Sequence, residues 1–395
     1  MKKQYMLLGL SLLVSAALIG WGLYGIRPIE YKDNPMLPVP TDTAKTKSND
    51  SVPKLASTTV ASGLSIPWDL DFIDEQTLLI TERGGDVSIV RDGKLKKIYT
   101  PADVAPRGEG GLMSITLDPD FANNSYVYLC MNAQGASYRD VRVLRMRLLD
   151  DTLVDRVDII TGMPDNDSGR HSGCRLRFGN DGFLWVATGD AAIGTTPQDP
   201  KSLGGKILRV TRDGTPASGN LAQNFDPRVF SYGHRNSQGL AMLPAEHPSG
   251  IAGYSVEHGP DVDDEINTLI PGNFGWNPVP RYNESVKMTD TTRYPNAIEA
   301  VWSSGLSTLA PSGATIIAGE QWGAWEGRLA VAFLKDKQVS IFPVNDDASL
   351  GDPLQIATEF GRIRSVRMSP NGDMYLCTSN GAGNDAIIKI SASQG

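Results

Sequence analysis

At 395 residues, with 40% apolar and 21% charged side chains, the chain can bury a substantial core, which excludes global disorder. Thirty-seven basic against 45 acidic residues leave a net charge of −8, which argues against nucleic acid as a partner, because that binding rests on phosphate neutralisation. The three cysteines, Cys130, Cys174 and Cys377, show no C-x-x-C spacing, which excludes a zinc ribbon, a ferredoxin-type cluster and a disulfide scaffold.

In chain order, the first element is a short basic start, Met1-Lys2-Lys3, followed by Met6 to Ile26 without a charged residue. A helix of that length crosses a ~30 Å hydrocarbon core. Lysines before it and acidic residues beyond it orient the body away from the cytoplasm. Residues 1–27 therefore read as a membrane anchor or signal segment. The bulky run Ile19 to Tyr24 stands where a cleavage site would need small residues, which favours an uncleaved anchor over residues 6–26; secretion after cleavage is the alternative. Residues 28–54, with Pro28, Pro35, Pro38 and Pro40 among Thr, Ser, Lys and Asp, lack apolar periodicity and read as a tether.

Residues 55–395 show almost no helical pattern. One phrase recurs: an apolar alternation, a turn built on Gly, Asp, Asn or Pro, then a second apolar run. It begins at Trp68-Asp69-Leu70, Ile115-Thr116-Leu117, Leu176-Arg177-Phe178 and Val366-Arg367-Met368, with weaker copies at Gly239-Leu240 and Gly313-Ala314. Six copies at roughly 55 residues each predict an all-β, six-bladed β-propeller with long loops; two packed sandwiches are the structural alternative. A propeller gathers loops from every blade around one axis, so residues far apart in sequence can converge there.

Charge and glycine concentrate in loops beside these phrases: Arg107 to Leu112, Gly169 to Leu176, Ala187 to Asp190, Tyr232 to Gly239, Glu257 to Glu265, Leu334 to Lys337 and Gly361 to Ser365. His171 lies between Gly169 and Gly173, which allows close backbone approach. Arg362 and Arg364 alternate and so share one strand face, where they call for an anion or carboxylates. Asp263-Asp264-Glu265 lacks EF-hand order. G-x-G-x-x-G after a strand, G-x-S-x-G and H-E-x-x-H are all missing, which argues against NAD, serine-esterase and zincin chemistry.

G-E-G-G-L (108–112), H-S-G-C-R-L-R-F (171–178), A-T-G-D (187–190), G-H-R-N-S-Q-G (233–239), E-H-G-P-D-V-D-D-E-I-N (257–267), F-G-W (274–276), L-K (334–335) and G-R-I-R (361–364) occur in this order. In this the body, from about Ala61 to Ile390, resembles the glucose/sorbosone dehydrogenase family, soluble-type aldose dehydrogenases that use pyrroloquinoline quinone (PQQ) and calcium on a six-bladed propeller. The resemblance implies His171 as the base for the sugar C1 hydroxyl, Asp190 as the carboxylate that orients it, and Arg235 and Asn236 at the cofactor. It implies Lys335, Arg362 and Arg364 as cations for the PQQ carboxylates, and Glu109 beside the cofactor, where relatives can carry Gln. Gly259 and Pro260 match backbone carbonyl ligands of the catalytic calcium. Pro280, Tyr282 and Glu284 follow F-G-W at a spacing that could serve a second, structural calcium. An aldose substrate, a quinone or cytochrome acceptor and a periplasmic location follow from the same likeness, with the membrane touched only through the N-terminal segment. Arg170 adds a positive charge next to His171, expected to lower its proton affinity. The cysteines are expected to be buried and unpaired, Cys130 and Cys377 falling at matching positions of blades that are not neighbours. A non-catalytic binding propeller and a calcium-dependent lactonase remain as alternatives; the latter would want acidic rather than cationic residues on the axis.

Overall fold

The computed structural model describes residues 52–221 and 224–393. The apolar segment 6–26 and nearly all of the 28–54 tether lie outside them. Among the described residues no helix is long and apolar enough to cross a membrane.

Six antiparallel sheets follow one another along the chain, each with its first strand innermost. The inner strands are Pro67–Phe72, Leu112–Leu117, Gly173–Phe178, Ser237–Met242, Pro311–Ile316 and Ile363–Met368. Each packs on the next, and the sixth packs back on the first. The result is a six-bladed propeller, and the six recurring phrases are its six inner strands. The sandwich alternative fails because no two sheets stack as a closed pair; the strands ring one axis instead.

The core is distributed accordingly. Six separate apolar clusters lie between successive blades. Leu79 and Ile89 of blade 1 meet Leu112 and Leu129 of blade 2, and Ala330 and Ile341 of blade 5 meet Ile363 and Leu376 of blade 6. Apolar alternation supplies this directly, because residues two apart on a strand face the same neighbouring blade. Closure comes from the N-terminal strand Lys54–Leu64, which pairs antiparallel with the last strand, Asp385–Ser393, as the outer strand of blade 6. Blade 3 takes a fifth, parallel strand, Gly272–Asn273, returned from beyond blade 4.

One expectation about cysteine is overturned. Cys130 and Cys174 form a disulfide with Cα atoms 6.0 Å apart, while Cys377 is free and buried. Cys130 lies on the second strand of blade 2 and Cys174 on the inner strand of blade 3. Neighbouring blades bring the two within bridging range, a proximity that comparing Cys130 only with Cys377 misses.

The axis itself is filled. Asp69, fully buried, accepts from Arg175 at 2.8 Å and Arg177 at 2.9 Å and from the hydroxyls of Ser114 at 2.6 Å and Ser365 at 2.8 Å. These side chains come from blades 1, 2, 3 and 6 and form a plug half-way along the channel. The residues singled out from the sequence gather above it, at the N-terminal ends of the inner strands.

Candidate active site

His171 sits in the left-handed backbone region, with φ of 52°. That region is costly for a non-glycine residue and persists only where surroundings enforce it. Here glycine enforces it: a Cβ on Gly189 would collide with the His171 carbonyl, and one on Gly173 with the Gly189 amide. The Cys130–Cys174 bridge anchors the same turn three residues on.

The imidazole is held from one side. His171 Nδ1 lies 2.8 Å from Asp190 Oδ1 and 3.0 Å from the Tyr282 hydroxyl. Asp190 is fully buried. Its Oδ1 also accepts from the Ala192 amide at 2.8 Å, and its Oδ2 accepts from Trp276 Nε1 at 2.8 Å and from Tyr282 at 2.7 Å. Burial, and then the Asp190 charge, push the Tyr282 phenol far above its ordinary value, so it remains a donor. A carboxylate so supplied keeps the His171 proton on Nδ1 and leaves Nε2 as the acceptor. Nε2 has no hydrogen-bond partner among the described residues.

Glu109 reaches the same site from blade 2. It accepts from the His171 backbone amide, from Asn236 Nδ2 at 2.9 Å and from Gln238 Nε2 at 3.1 Å. Burial works against its charge, but His171 and His258 and these amide donors outweigh it and hold the carboxyl below the ordinary glutamate value. Both oxygens are therefore engaged within the protein.

Arg235, buried, donates to the His258 carbonyl at 3.0 Å and to Glu284 at 2.6 Å, and its Nε has no partner. Arg364, also buried, donates only to Gln238 at 3.1 Å; its Nε is unpartnered and it forms no ion pair among the described residues. Burial pulls its pKa down to about 9, with Arg175, Arg362 and Arg83 adding repulsion against the pull of Glu109. His258 lies among these groups, with its Nε2 buried and unpartnered. Burial lowers its proton affinity, Asp264 and Glu109 oppose that, and Arg364 and Arg235 add to it.

Direct bonds thus unite His171, Asp190, Glu109, Asn236 and Arg235, whose carbonyl accepts from the Asp190 amide at 2.8 Å, and Gln238 links Arg364 to Glu109. Arg362, half-buried, donates through Nε to the Ser379 carbonyl at 3.1 Å, and Lys335, exposed, donates to Thr308 at 2.8 Å. Gly259 donates its amide to Asp264 at 2.8 Å, while the carbonyls of Gly259 and Pro260 accept no hydrogen bond among the described residues. Asp264 is saturated by the amides of Gly259, Leu309 and Ala310.

Pro280, Tyr282 and Glu284, expected at a second calcium, also make contacts with the protein itself. Val279–Pro280 is a cis peptide, the Tyr282 hydroxyl caps the His171–Asp190 pair, and Glu284 accepts from both Arg170 at 2.9 Å and Arg235 at 2.6 Å. No group of three or more His, Cys, Asp or Glu among the described residues is placed to hold a metal. Burial would raise the Glu284 carboxyl, but Arg235 and Arg170 hold it down. The Arg170 charge is thereby paired with Glu284 rather than left free beside His171. Trp276, Gln238 and His258 lay inside quoted motifs, yet nothing in their spacing assigned them to this site; Tyr282 and Glu284 reach it only because their loop folds back across blade 3.

Fold and site together define a class: a β-propeller whose axial mouth sets an imidazole proton acceptor beside a cluster of buried, incompletely paired cations. The chain belongs to the glucose/sorbosone dehydrogenase family, whose model matches residues 64–389, and is an oxidoreductase of the aldose sugar dehydrogenase kind. It is 31% identical over 342 residues to the aldose sugar dehydrogenase YliI of Escherichia coli, covering 83% of this chain and 90% of that one. It is 27% identical over 352 residues to quinoprotein glucose dehydrogenase B of Acinetobacter calcoaceticus, covering 80% and 69%. The PQQ-bound form of an aldose sugar dehydrogenase from Streptomyces coelicolor superposes with a TM-score of 0.71 at 30% identity, over 87% of this chain and all of that one.

Proposed function

We propose that this protein oxidises aldose sugars at C1 to the lactone, using PQQ and calcium, and passes the electrons to a quinone or cytochrome. The observation that carries the proposal is the His171 Nε2 acceptor, fixed by Asp190, beside Arg235 and Arg364 with buried, unpartnered N–H groups. The residues suit the cofactor. PQQ carries three carboxylates, and Arg364, Arg362 and Lys335 form no ion pair among the described residues; charge-assisted bonds to an anion would complete them. The free carbonyls of Gly259 and Pro260 suit a calcium ion, but two oxygens are a fraction of the six to eight it takes, so the cofactor and water would supply the others.

Bound PQQ would supply the two-electron acceptor for the hydride that leaves C1. The protein's own residues do the remainder. His171 Nε2 takes the C1 hydroxyl proton as the C–H bond breaks, and Asp190 stabilises the imidazolium that results. Trp276 and Tyr282 keep Asp190 from rotating away. Arg235 offers positive charge where negative charge develops, held in place by His258 and Glu284. A positioned base of this kind contributes roughly 10²–10⁴-fold.

The location we propose is the periplasmic side of the inner membrane, held by residues 6–26 with 28–54 as tether. The sequence supports it, and so does the Cys130–Cys174 bridge, since such bonds persist in oxidising compartments. The test is reconstitution of the purified apoprotein with PQQ and calcium, following reduction of an artificial acceptor over a panel of aldoses beside His171→Ala. Turnover that needs both additions and falls at least ~100-fold in the variant, with PQQ still bound, is the expected result. Absence of PQQ binding in the wild type would leave a sugar- or protein-binding propeller.

A further inference from the structure

The opposite end of the axial channel has a chemistry that the sugar site does not use. A cavity of about 370 Å³ opens there, at the C-terminal ends of the inner strands. Six strand residues at ~3.3 Å each put it about 20 Å from His171, with the Asp69–Arg175–Arg177 plug between. Every blade contributes to its wall: Asp71, Thr116, Arg177, Met242, Thr315 and Arg367 come one from each.

The charges do not balance. Arg175, Arg177 and Arg367 converge on Asp69 and Asp71, three cations on two anions. Asp118, the remaining acid at the wall, is already paired with Arg212 at 3.2 Å and bonded to Tyr128 at 3.0 Å. Blades 4 and 5 present no titratable group to the cavity, only Leu240 to Met242 and Ala314 to Ile316. Asp71 is saturated: it accepts from Arg367 at 2.8 Å, Thr116 at 3.1 Å and the amides of Leu117 and Phe72 at 2.9 Å. Arg367 uses only Nη2 in that contact, and Arg177 spends both Nη atoms on Asp69 and the Leu176 carbonyl. Arg367 Nε and Nη1 and Arg177 Nε therefore have no protein acceptor among the described residues.

Arg177 is buried and Arg367 half-buried, and an enclosed positive charge in excess is costly without a counter-ion. Burial lowers the proton affinity of Arg367, and Arg177 adds repulsion that Asp71 and Asp69 counter. Across the cavity the part-exposed Met242, Thr315 and Ile316 carry no charge and offer methyl and thioether surface, which favours an anion with a small, partly apolar body over a hydrated inorganic ion.

We propose that this lower channel mouth binds a small organic monocarboxylate, its carboxylate on Arg367 and Arg177 and its body against blades 4 and 5. The site is independent of the sugar chemistry at the other end. The test is calorimetric titration of the purified full chain in chloride-free buffer with benzoate, acetate and neutral benzamide. Benzoate is expected to bind, acetate more weakly and benzamide not at all. Arg367→Gln should weaken benzoate at least about tenfold, the scale of one lost charge-assisted bond. Should that variant fold poorly after losing its contact to Asp71, Thr315→Glu puts a repelling charge on the apolar wall and leaves every ion pair intact; it should abolish binding. Equal binding of benzoate and benzamide, indifference to both substitutions, or no heat with any carboxylate would each overturn the proposal.

Discussion

His171 is useful because it is held in a backbone conformation that it would not choose. Two glycines press its turn closed, Glu109 accepts from its amide, and Asp190 accepts the hydrogen bond from its Nδ1–H. All four partners fall in motifs that the sequence displays: Glu109 in G-E-G-G-L, Gly173 in H-S-G-C-R, and Gly189 and Asp190 in A-T-G-D. Their mutual contact does not, because Glu109 and Asn236 are 127 positions apart. Arg364 offers the sharpest test at this scale. A buried guanidinium without an ion pair destabilises the empty protein, and a bound carboxylate would reverse that. Arg364→Met should therefore raise the melting temperature of the apoprotein while weakening PQQ about 10- to 100-fold, as expected for a lost hydrogen bond between charged groups. Thermal melts with and without PQQ measure both; a variant that lowers the apoprotein melting temperature would refute the assignment.

At the scale of elements, the loop from Ala191 to Gly205 has no motif, yet it is anchored firmly. Lys206, fully buried on blade 3, donates to the carbonyls of Thr196 at 2.6 Å, Pro197 at 3.1 Å and Gly204 at 2.8 Å. Burial pulls its pKa down from 10.5 to about 7, against the pull of Asp199 and Asp190. The sign follows from linkage: between pH 7 and 10.5 the unfolded chain holds a proton that the folded chain has released. Lys206 thus makes stability rise with pH across that window, by at most about 1.4 kcal/mol per pH unit, and its burial is most costly below it. Urea denaturation at pH 7 and pH 9 should show this increment in the wild type and lose it in Lys206→Met; identical increments would mean that Lys206 stays charged. Strand existence was legible throughout, because apolar alternation and turn residues act locally. The fifth strand of blade 3 was not, since Gly272–Asn273 is two residues long and pairs with a segment some 40 positions earlier.

Over the whole molecule, closure depends on a strand that lies far from its partner in sequence. Lys54–Leu64 completes blade 6 against Asp385–Ser393, fastening the first blade to the last. A chain beginning after Leu64 keeps all six inner strands but leaves the edge of Asp385–Ser393 unpaired. Exposed edges of that kind template aggregation. Compared with a chain beginning at residue 52, it should unfold at lower temperature and elute partly as aggregate in size-exclusion chromatography. Equal melting temperatures would show that the ring does not need this clasp.

The six-fold repeat, the family and the inventory of charged loops could be taken from the sequence alone, because period, turn chemistry and motif order are one-dimensional properties. Which loops touch was decided by the ring. It carried Tyr282 onto His171 and Glu284 onto Arg235, and brought Cys130 against Cys174 across neighbouring blades. It also set three arginines on two aspartates along an axis that no stretch of sequence contains. Contacts of this kind depend on which blade stands beside which, and that order exists only once the first strand has closed on the last.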